Sequence, residues 1–518
     1  MAQRGANLNF KHFMLRLAAV SIMAQPVPVL ARDAAPVPQP GPSVFVRCDG
    51  NPNKPSTLDT VARLVAITAV VGLLLPQRES PDPKQRANGA DGIAACTAAL
   101  EGEGSAKDGG RRIELFFGRA IHKMEVADWD GAIADIRAIE VDQPTLTAMS
   151  SYKLSLGVTA LNLEAMAQVG KGDLAGAETT AMRMFDSAPY DLRAVIRSID
   201  YTRLLAGYGE AKQRYFARAV QVYPTMLKDR AEAFAGVRRF ADAARDYESF
   251  NALVNSVPMW REGPNPFAVR AAIAWRLSGD KAAGDRLVVE QKALVTKAVR
   301  DGKSDDTATG TATAIDFYTI ISELEDGSPV RARTLFSAHS NWGYLPVGFV
   351  VELSRRLSNV GTPAEQAANP ITSPEQIEGT AREAAVGVIN NTKDRFALYR
   401  IAFGPGAFGK FAKNVWRTDK SRYLGNKPAP ELLAYPIDVL RDGDGYPAGY
   451  ALLLHAALLA KAYGVDGFML MPNQKFVYSH FVRFGNKIDE SMIPAVMFDP
   501  NQVIADLGPY FPKPEQAR

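Results

Sequence analysis

The sequence predicts a mainly α-helical chain, a solenoid of helical hairpins followed by a small α+β domain. Three observations carry that expectation. From Arg111 onward, apolar residues recur at the 3.6-residue period of a helix face. Short Asp- and Gly-containing breaks return along the chain, with a proline at a fixed distance beyond them. After Leu357 the character changes, and short apolar runs bounded by Gly, Pro and Asp read as strands. With 518 residues, 47% hydrophobic and 22% charged, the chain is long enough for several domains and too apolar to be disordered throughout.

The first stretch reads as an export signal. Arg4, Lys11 and Arg16 form a basic region without acids, residues 17–24 are apolar, and small residues offer cleavage after Ala24 or Ala31. Residues 1–31 are therefore assigned to a signal peptide. Their three cations supply most of the formal net charge of +4. The rest of the chain is near neutral, which gives no reason to expect nucleic acid as a partner. Within the Pro/Gly-rich start over 32–110 lie the only two cysteines, Cys48 and Cys96. In an oxidising compartment they are expected to form a disulfide. They bracket an apolar run over 64–75, shorter than the ~20 residues of a membrane-spanning helix. That run reads as a buried helix held down by the bridge; the competing reading is a membrane-seated hairpin.

The first strong helix places Ile113, Phe116, Phe117, Ala120, Ile121 and Met124 on one face. It breaks at Ala127-Asp128, and a second helix runs over 131–140 to a stop near Pro144. Asp128-Trp129-Asp130-Gly131-Ala132 is followed twelve residues after its alanine by Pro144. Asp173-Leu174-Ala175-Gly176-Ala177 is followed at the same distance by Pro189. Ile136, Ile139, Ala181 and Met184 take the inward positions between them. In these offsets the chain resembles the second helix of tetratricopeptide repeats, with Ile139 and Met184 where that family usually carries alanine. Ala132, Pro144, Ala177 and Pro189 define the repeat. Fainter copies close at Pro224, follow Phe240-Ala241-Asp242-Ala243, and recur at Gly279-Asp280-Lys281 and Val330-Arg331-Ala332. The resemblance covers 111–357 and implies a solenoid whose face holds a protein or peptide.

Residues 358–374, with Gly361, Pro363, Pro370 and Pro374, read as a linker. The α+β domain is assigned to 375–518. Its expected elements are a helix over 375–391, strands near 395–403 and 413–417, and an apolar helix over 447–463 stopped by Gly464. Strands over 466–471 and 476–484 and a short helix over 501–507 complete it.

No catalytic or metal-binding constellation emerges. Gly404-Pro405-Gly406-Ala407-Phe408-Gly409 has the spacing of a dinucleotide loop, yet Pro405 removes a donor and no helix follows. Arg441-Asp442-Gly443-Asp444-Gly445 lacks the twelfth-position Glu of a calcium loop. The histidines His12, His122, His339, His455 and His480 show no i, i+4 pair. Glu323, Glu325 and Asp326 read as a solvated helix end. A strip of cations and aromatics stands out: Lys410, Lys413, Trp416, Arg417, Lys420, Arg422 and Tyr423. It suits an anionic envelope component or, more plainly, a lysine-blunted sheet edge. The expectation is a non-catalytic protein–protein interaction scaffold in the periplasm or cell envelope of a Gram-negative-type bacterium. It would use no cofactor and no metal, and its mature chain would have no transmembrane helix. The second reading is an envelope hydrolase or transferase, with its site between the solenoid and the C-terminal domain.

Overall fold

The computed structural model describes residues 41–53, 80–102, 105–256, 263–302, 305–339, 342–392, 395–399, 408, 415–416, 433–434, 445–471 and 481–513. The assigned signal peptide, the apolar run over 64–75 and the strand expected over 476–480 lie outside these residues. The chain from 42 to 518 clusters as one compact unit. Among the described residues it is mainly helical, with a small antiparallel sheet near the C-terminus. No described helix is long and apolar enough to cross a membrane.

At the N-terminal end lie α1 (Val44–Asp49), α2 (Gly89–Glu101) and α3 (Gly109–Glu125). Then come α4 (Trp129–Asp142), α5 (Pro144–Thr147), α6 (Ser150–Lys153), α7 (Leu156–Lys171), α8 (Leu174–Ser187), α9 (Leu192–Thr202) and α10 (Glu210–Val222). The middle holds α11 (Leu227–Gly236), α12 (Phe240–Asn255), α13 (Pro266–Ser278), α14 (Lys281–Arg300), α15 (Asp306–Asp326), α16 (Pro329–Ala338) and α17 (Val347–Leu357). Last are α18 (Pro363–Ala368), α19 (Pro374–Asn390), α20 (Gly445–Tyr463) and α21 (Pro500–Leu507).

One turn is used four times, between α3 and α4, α7 and α8, α11 and α12, and α13 and α14. A residue in the left-handed region opens it: Ala127 (φ 59°), Gly172 (86°), Arg238 (61°) or Gly279 (101°). The next residue is the N-cap, at φ/ψ of −82°/70° in Asp128, −80°/72° in Asp173, −83°/61° in Arg239 and −88°/79° in Asp280. Each N-cap N–H donates at 2.9 Å to the carbonyl five residues back, which satisfies one orphan of the preceding helix end. Three of the four caps also use their carboxylate, accepting from the N–H of Gly131, Gly176 and Ala283 at 2.9–3.0 Å. Four residues after each cap the chain needs a small residue. Ala132, Ala177 and Ala243 are wholly buried, and a Cβ on Gly284 would come within 2.8 Å of the Ala272 carbonyl. Asp128→Ala and Asp173→Ala are each expected to cost about 1 kcal/mol, the usual loss on removing a cap. They belong to separate hairpins and should add, as denaturant midpoints at constant slope would show.

The expected pairing of Cys48 with Cys96 is present, with both sulfurs buried and the S–S distance 2.08 Å. It ties α1 to α2. Gly118 on α3 is glycine because a Cβ there would lie 3.1 Å from the Cys48 sulfur. The apolar face expected for α3 is buried as read. Pro144 opens α5, and Pro189 lies in the turn after α8.

Near the C-terminus, β1 (Leu433–Ala434), β2 (Gly467–Met471) and β3 (Phe481–Gly485) form a sheet in the order β1-β3-β2, all antiparallel. Gly467 faces Gly485 and Met471 faces Phe481. Helix α20 ends at Gly464 (φ 70°) and packs on α21 and on the sheet. This segment shares one apolar cluster with the N-terminal helices, and a second cluster fills α11 to α17. Polar contacts reinforce the junction: Tyr190 Oη donates to Asp506 at 2.5 Å, and Gln221 Nε2 to the Met497 carbonyl at 2.7 Å.

Four expectations need correction. The strand read over 395–403 is, over Arg395–Tyr399, a 3-10 turn. Its Phe396 is buried between the Arg86 guanidinium (3.7 Å from the ring centroid) and the His122 ring (5.2 Å), and Thr159 Oγ1 donates to the Leu398 carbonyl. A short apolar run docks as readily by one turn as by pairing at a sheet edge. Val415, in the second expected strand, is helical. The 358–374 stretch is a packed connection: it contains α18, begun by a Thr362/Glu365 capping box, and wraps the buried Arg333. That guanidinium donates to the carbonyls of Leu357, Ser358, Gln366 and Asn369. Finally, the acids at the end of α15 are not simply solvated: Asp326 is exposed as read, but Glu325 is largely covered and both are paired. They pair with Arg276, which is 2% exposed, and Glu325 also meets Arg356 at 3.1 Å.

Candidate functional site

A concave feature lies where α9, α11, α12 and α13 converge. The 3-10 turn Pro224–Met226 carries the chain from α10 into α11, so the first turn of α11 faces the end of α9. Asn265 caps α13: its side chain accepts from Phe267 N–H at 2.9 Å and donates to Asn251 Oδ1 at 2.6 Å. Its own N–H donates to Gln291 at 2.8 Å, so Asn265 is fully engaged in holding α13 to α12 and α14. The space left between these elements is a cavity of about 610 Å³. Its walls are chiefly apolar, with Ile199, Met226, Phe250, Val254 and Phe267 prominent. Phe250 and Phe267 meet edge to face at 4.6 Å and brace one side. Thr225, Asp306 and Thr307 add polar groups.

A second cavity of about 250 Å³ adjoins the first, and Ile199, Arg203 and Asp229 line both. Its further walls come from the end of α11, from α17 and from α19. Gly348 permits this closure, because a Cβ there would lie 2.5 Å from the Ala235 backbone. Glu232 stands one turn beyond Asp229 on α11, one-third exposed, and lines the smaller cavity.

The shared wall is charged. Arg203 donates to Asp229 at 2.6 Å and to Asp200 at 3.3 Å, and Lys228 lies 3.5 Å from Asp229. Burial opposes the charge on Arg203, but Asp229, Glu232 and Asp200 outweigh it and raise its pKa. Burial raises the carboxyl pKa of Asp200. It does the same for Glu232, reinforced by repulsion from Asp229. Glu232 meets Arg270 at 3.5 Å, the outer limit of a hydrogen bond. The Arg270 guanidinium lies 4.9 Å from the Phe267 ring centroid and also contacts the Tyr344 carbonyl. An apolar space with a few converging polar groups and carboxyls of shifted pKa is the usual form of a ligand site.

None of the residues singled out from sequence lies at this site. Of the cation–aromatic strip, Trp416 alone is described. Its indole N–H donates to the Phe511 carbonyl at 3.1 Å, and Lys513 Nζ lies 5.2 Å from the ring. Lys410, Lys413, Arg417, Lys420, Arg422 and Tyr423 lie outside the described residues, as do residues 404–407, 409 and 441–444, His12 and His480. His122 is buried, between Glu125 and the Cys48 carbonyl, and the His455 ring meets the Val415 carbonyl at 2.8 Å. His339 stacks on Trp342 at 4.3 Å. No group of His, Cys, Asp and Glu that could hold a metal occurs among the described residues. The signal that sequence reasoning passed over was Lys228, Asp229, Arg230 and Glu232, four charges within two turns of a helix that also carries Leu227, Ala231 and Phe234. Such a helix has too little solvated face for all of them. Comparison with protein-family models, with curated proteins and with solved structures finds no match for this chain.

Proposed function

We propose that the protein is an exported, non-catalytic binding scaffold that takes a segment of a partner polypeptide into the groove between α9, α11, α12 and α13. The carrying observation is the 610 Å³ cavity, apolar on most sides and edged by the Arg203–Asp229 pair. It has room for one or two large side chains, with charged groups at the wall to fix orientation. The four-fold use of one helix–turn–helix geometry supports a tetratricopeptide-like solenoid, an architecture that presents grooves to peptides. The disulfide fits an oxidising compartment, and hence the export read from residues 1–31.

Filling the cavity tests this reading. Val254, at the wall, is nearly buried, so Val254→Trp would push an indole into the open volume without needing to displace the backbone. Peptides selected from a displayed library against the parent protein should share an apolar anchor and bind the variant at least about tenfold more weakly, a change of ~1.4 kcal/mol. Selected peptides that bind both proteins equally would place the binding face elsewhere. The hydrolase or transferase alternative draws on Glu232 alone, a carboxyl of raised pKa in a cavity. Turnover of a chromogenic ester or glycoside that disappears in Glu232→Gln would favour it.

A further inference from the structure

The two cavities differ in which polar groups are still open to a ligand. The geometry points to a basic side chain, lysine or arginine, as the group that enters the smaller cavity and pairs with Glu232. This deepens the peptide-groove reading and rests on it.

Three of the four cations near the smaller cavity are already engaged. Arg203 on α9 holds Asp229 and Asp200. Lys228 on α11 is drawn to Asp229. Arg270 on α13 lies against the Phe267 face and contacts the Tyr344 carbonyl. Arg382 on α19 is exposed at the rim, where water solvates it. Among the acceptors Glu232 is the least well served, with one long contact at 3.5 Å, whereas Glu378 on α19 lines the same space but is exposed, as Arg382 is.

A further buried polar group lies near Glu232, though it lines neither cavity. Tyr247 on α12 is wholly buried, and its hydroxyl has no hydrogen-bond partner of good geometry. The charges that act on it most are Glu232, Arg270 and Asp229. A ligand ammonium or guanidinium would meet the weakly paired Glu232, whereas a carboxylate or phosphate would have to displace Asp229 from Arg203 or stay at the exposed Arg382. Because Ile199, Arg203 and Asp229 wall both cavities, the apolar and basic residues of the peptide must be near neighbours.

The test uses three isosteric probes that carry an aromatic ring for the larger cavity and differ only in their head group: 4-phenylbutylamine, 4-phenylbutanol and 4-phenylbutanoate. Titration calorimetry on the full chain should rank the amine about tenfold or more tighter than the alcohol, with the carboxylate weakest. Glu232→Gln should bring the amine down to the alcohol. For the parent, amine affinity should rise with pH as Glu232 ionises, above the ordinary carboxylate range, while the variant stays flat. Equal binding of amine and alcohol would overturn the inference yet leave the apolar groove standing. Failure of all three to bind would overturn both, and tightest binding of the carboxylate would reverse the sign of the site. The ranking on the parent decides the matter even if Glu232→Gln fails to fold, and Glu378→Gln separates the two carboxylates.

Discussion

Replacing Asp49 by alanine is expected to destabilise the protein by about 3–5 kcal/mol, among the largest losses available to a single substitution in this chain. Asp49 is the last residue of α1, and Arg111 lies in the first turn of α3. Both side chains are fully buried, and the guanidinium meets the carboxylate with two bonds, at 2.5 and 2.9 Å. Arg111 also donates to the Asn51 carbonyl at 2.8 Å and to Glu114 at 3.1 Å. Burial opposes the charge on this guanidinium; the bonds to Asp49 outweigh it and raise its pKa. Remove Asp49 and the charge remains, desolvated, with Glu114 as its nearest acid. Asp49→Asn should cost less, because an amide oxygen still accepts one bond. Arg111→Met, which removes the charge itself, should be milder than Asp49→Ala. Urea midpoints for the three variants check the order. If Asp49→Ala is the mildest, the pair is not buried in solution.

The turns were legible because their chemistry is local. Asp128 and Asp173 stand three residues before Gly131 and Gly176, and Ala132 and Ala177 follow directly, so cap, turn and close approach are written within a few positions. Cys48 and Cys96 could pair with no other cysteine. The missed features depend on residues far apart in the chain. Nothing near Phe396 shows that Arg86 and His122 wait for it, and nothing in 358–374 shows that Arg333 will gather its carbonyls. The candidate site is the extreme case. It draws Arg203, Asp229, Phe250, Phe267 and Glu378 from five separate elements, and each alone is an ordinary helix residue. The acids near Glu325 stood out locally too, and spacing alone could not show that Arg276 and Arg356 come to meet them.

Breaking the Cys48–Cys96 disulfide is expected to cost about 4 kcal/mol in the chain-entropy account, given a loop of 48 residues. The more telling result is how that loss combines with Asp49→Ala. Apart from the disulfide, α1 is held by Asp49, by the Cys48 carbonyl on His122 Nε2 at 2.7 Å, and by two backbone bonds, Ala87 N–H to Arg47 and Asp82 N–H to Gly50. His122 is held in turn by Glu125 at 2.8 Å, and Gly92 leaves room for its ring, since a Cβ there would lie 2.5 Å away. With the bridge intact, α1 cannot leave, and Asp49→Ala must bear the full penalty of a buried, underpaired Arg111. With the bridge gone, this six-residue helix is too short to stay folded by itself and can undock, which lets water reach the guanidinium. The undocking free energy then caps the cost of Asp49→Ala below its value in the bridged protein. A double-mutant cycle between Asp49→Ala and the Cys48→Ser/Cys96→Ser pair should therefore be less than additive by about 1–3 kcal/mol. Amide exchange at residues 44–50 should become fast in the Cys48→Ser/Cys96→Ser protein while α3 remains protected. Additive losses would instead mean that α1 is held by its packing of Phe45 and Val46 and stays docked without the bridge.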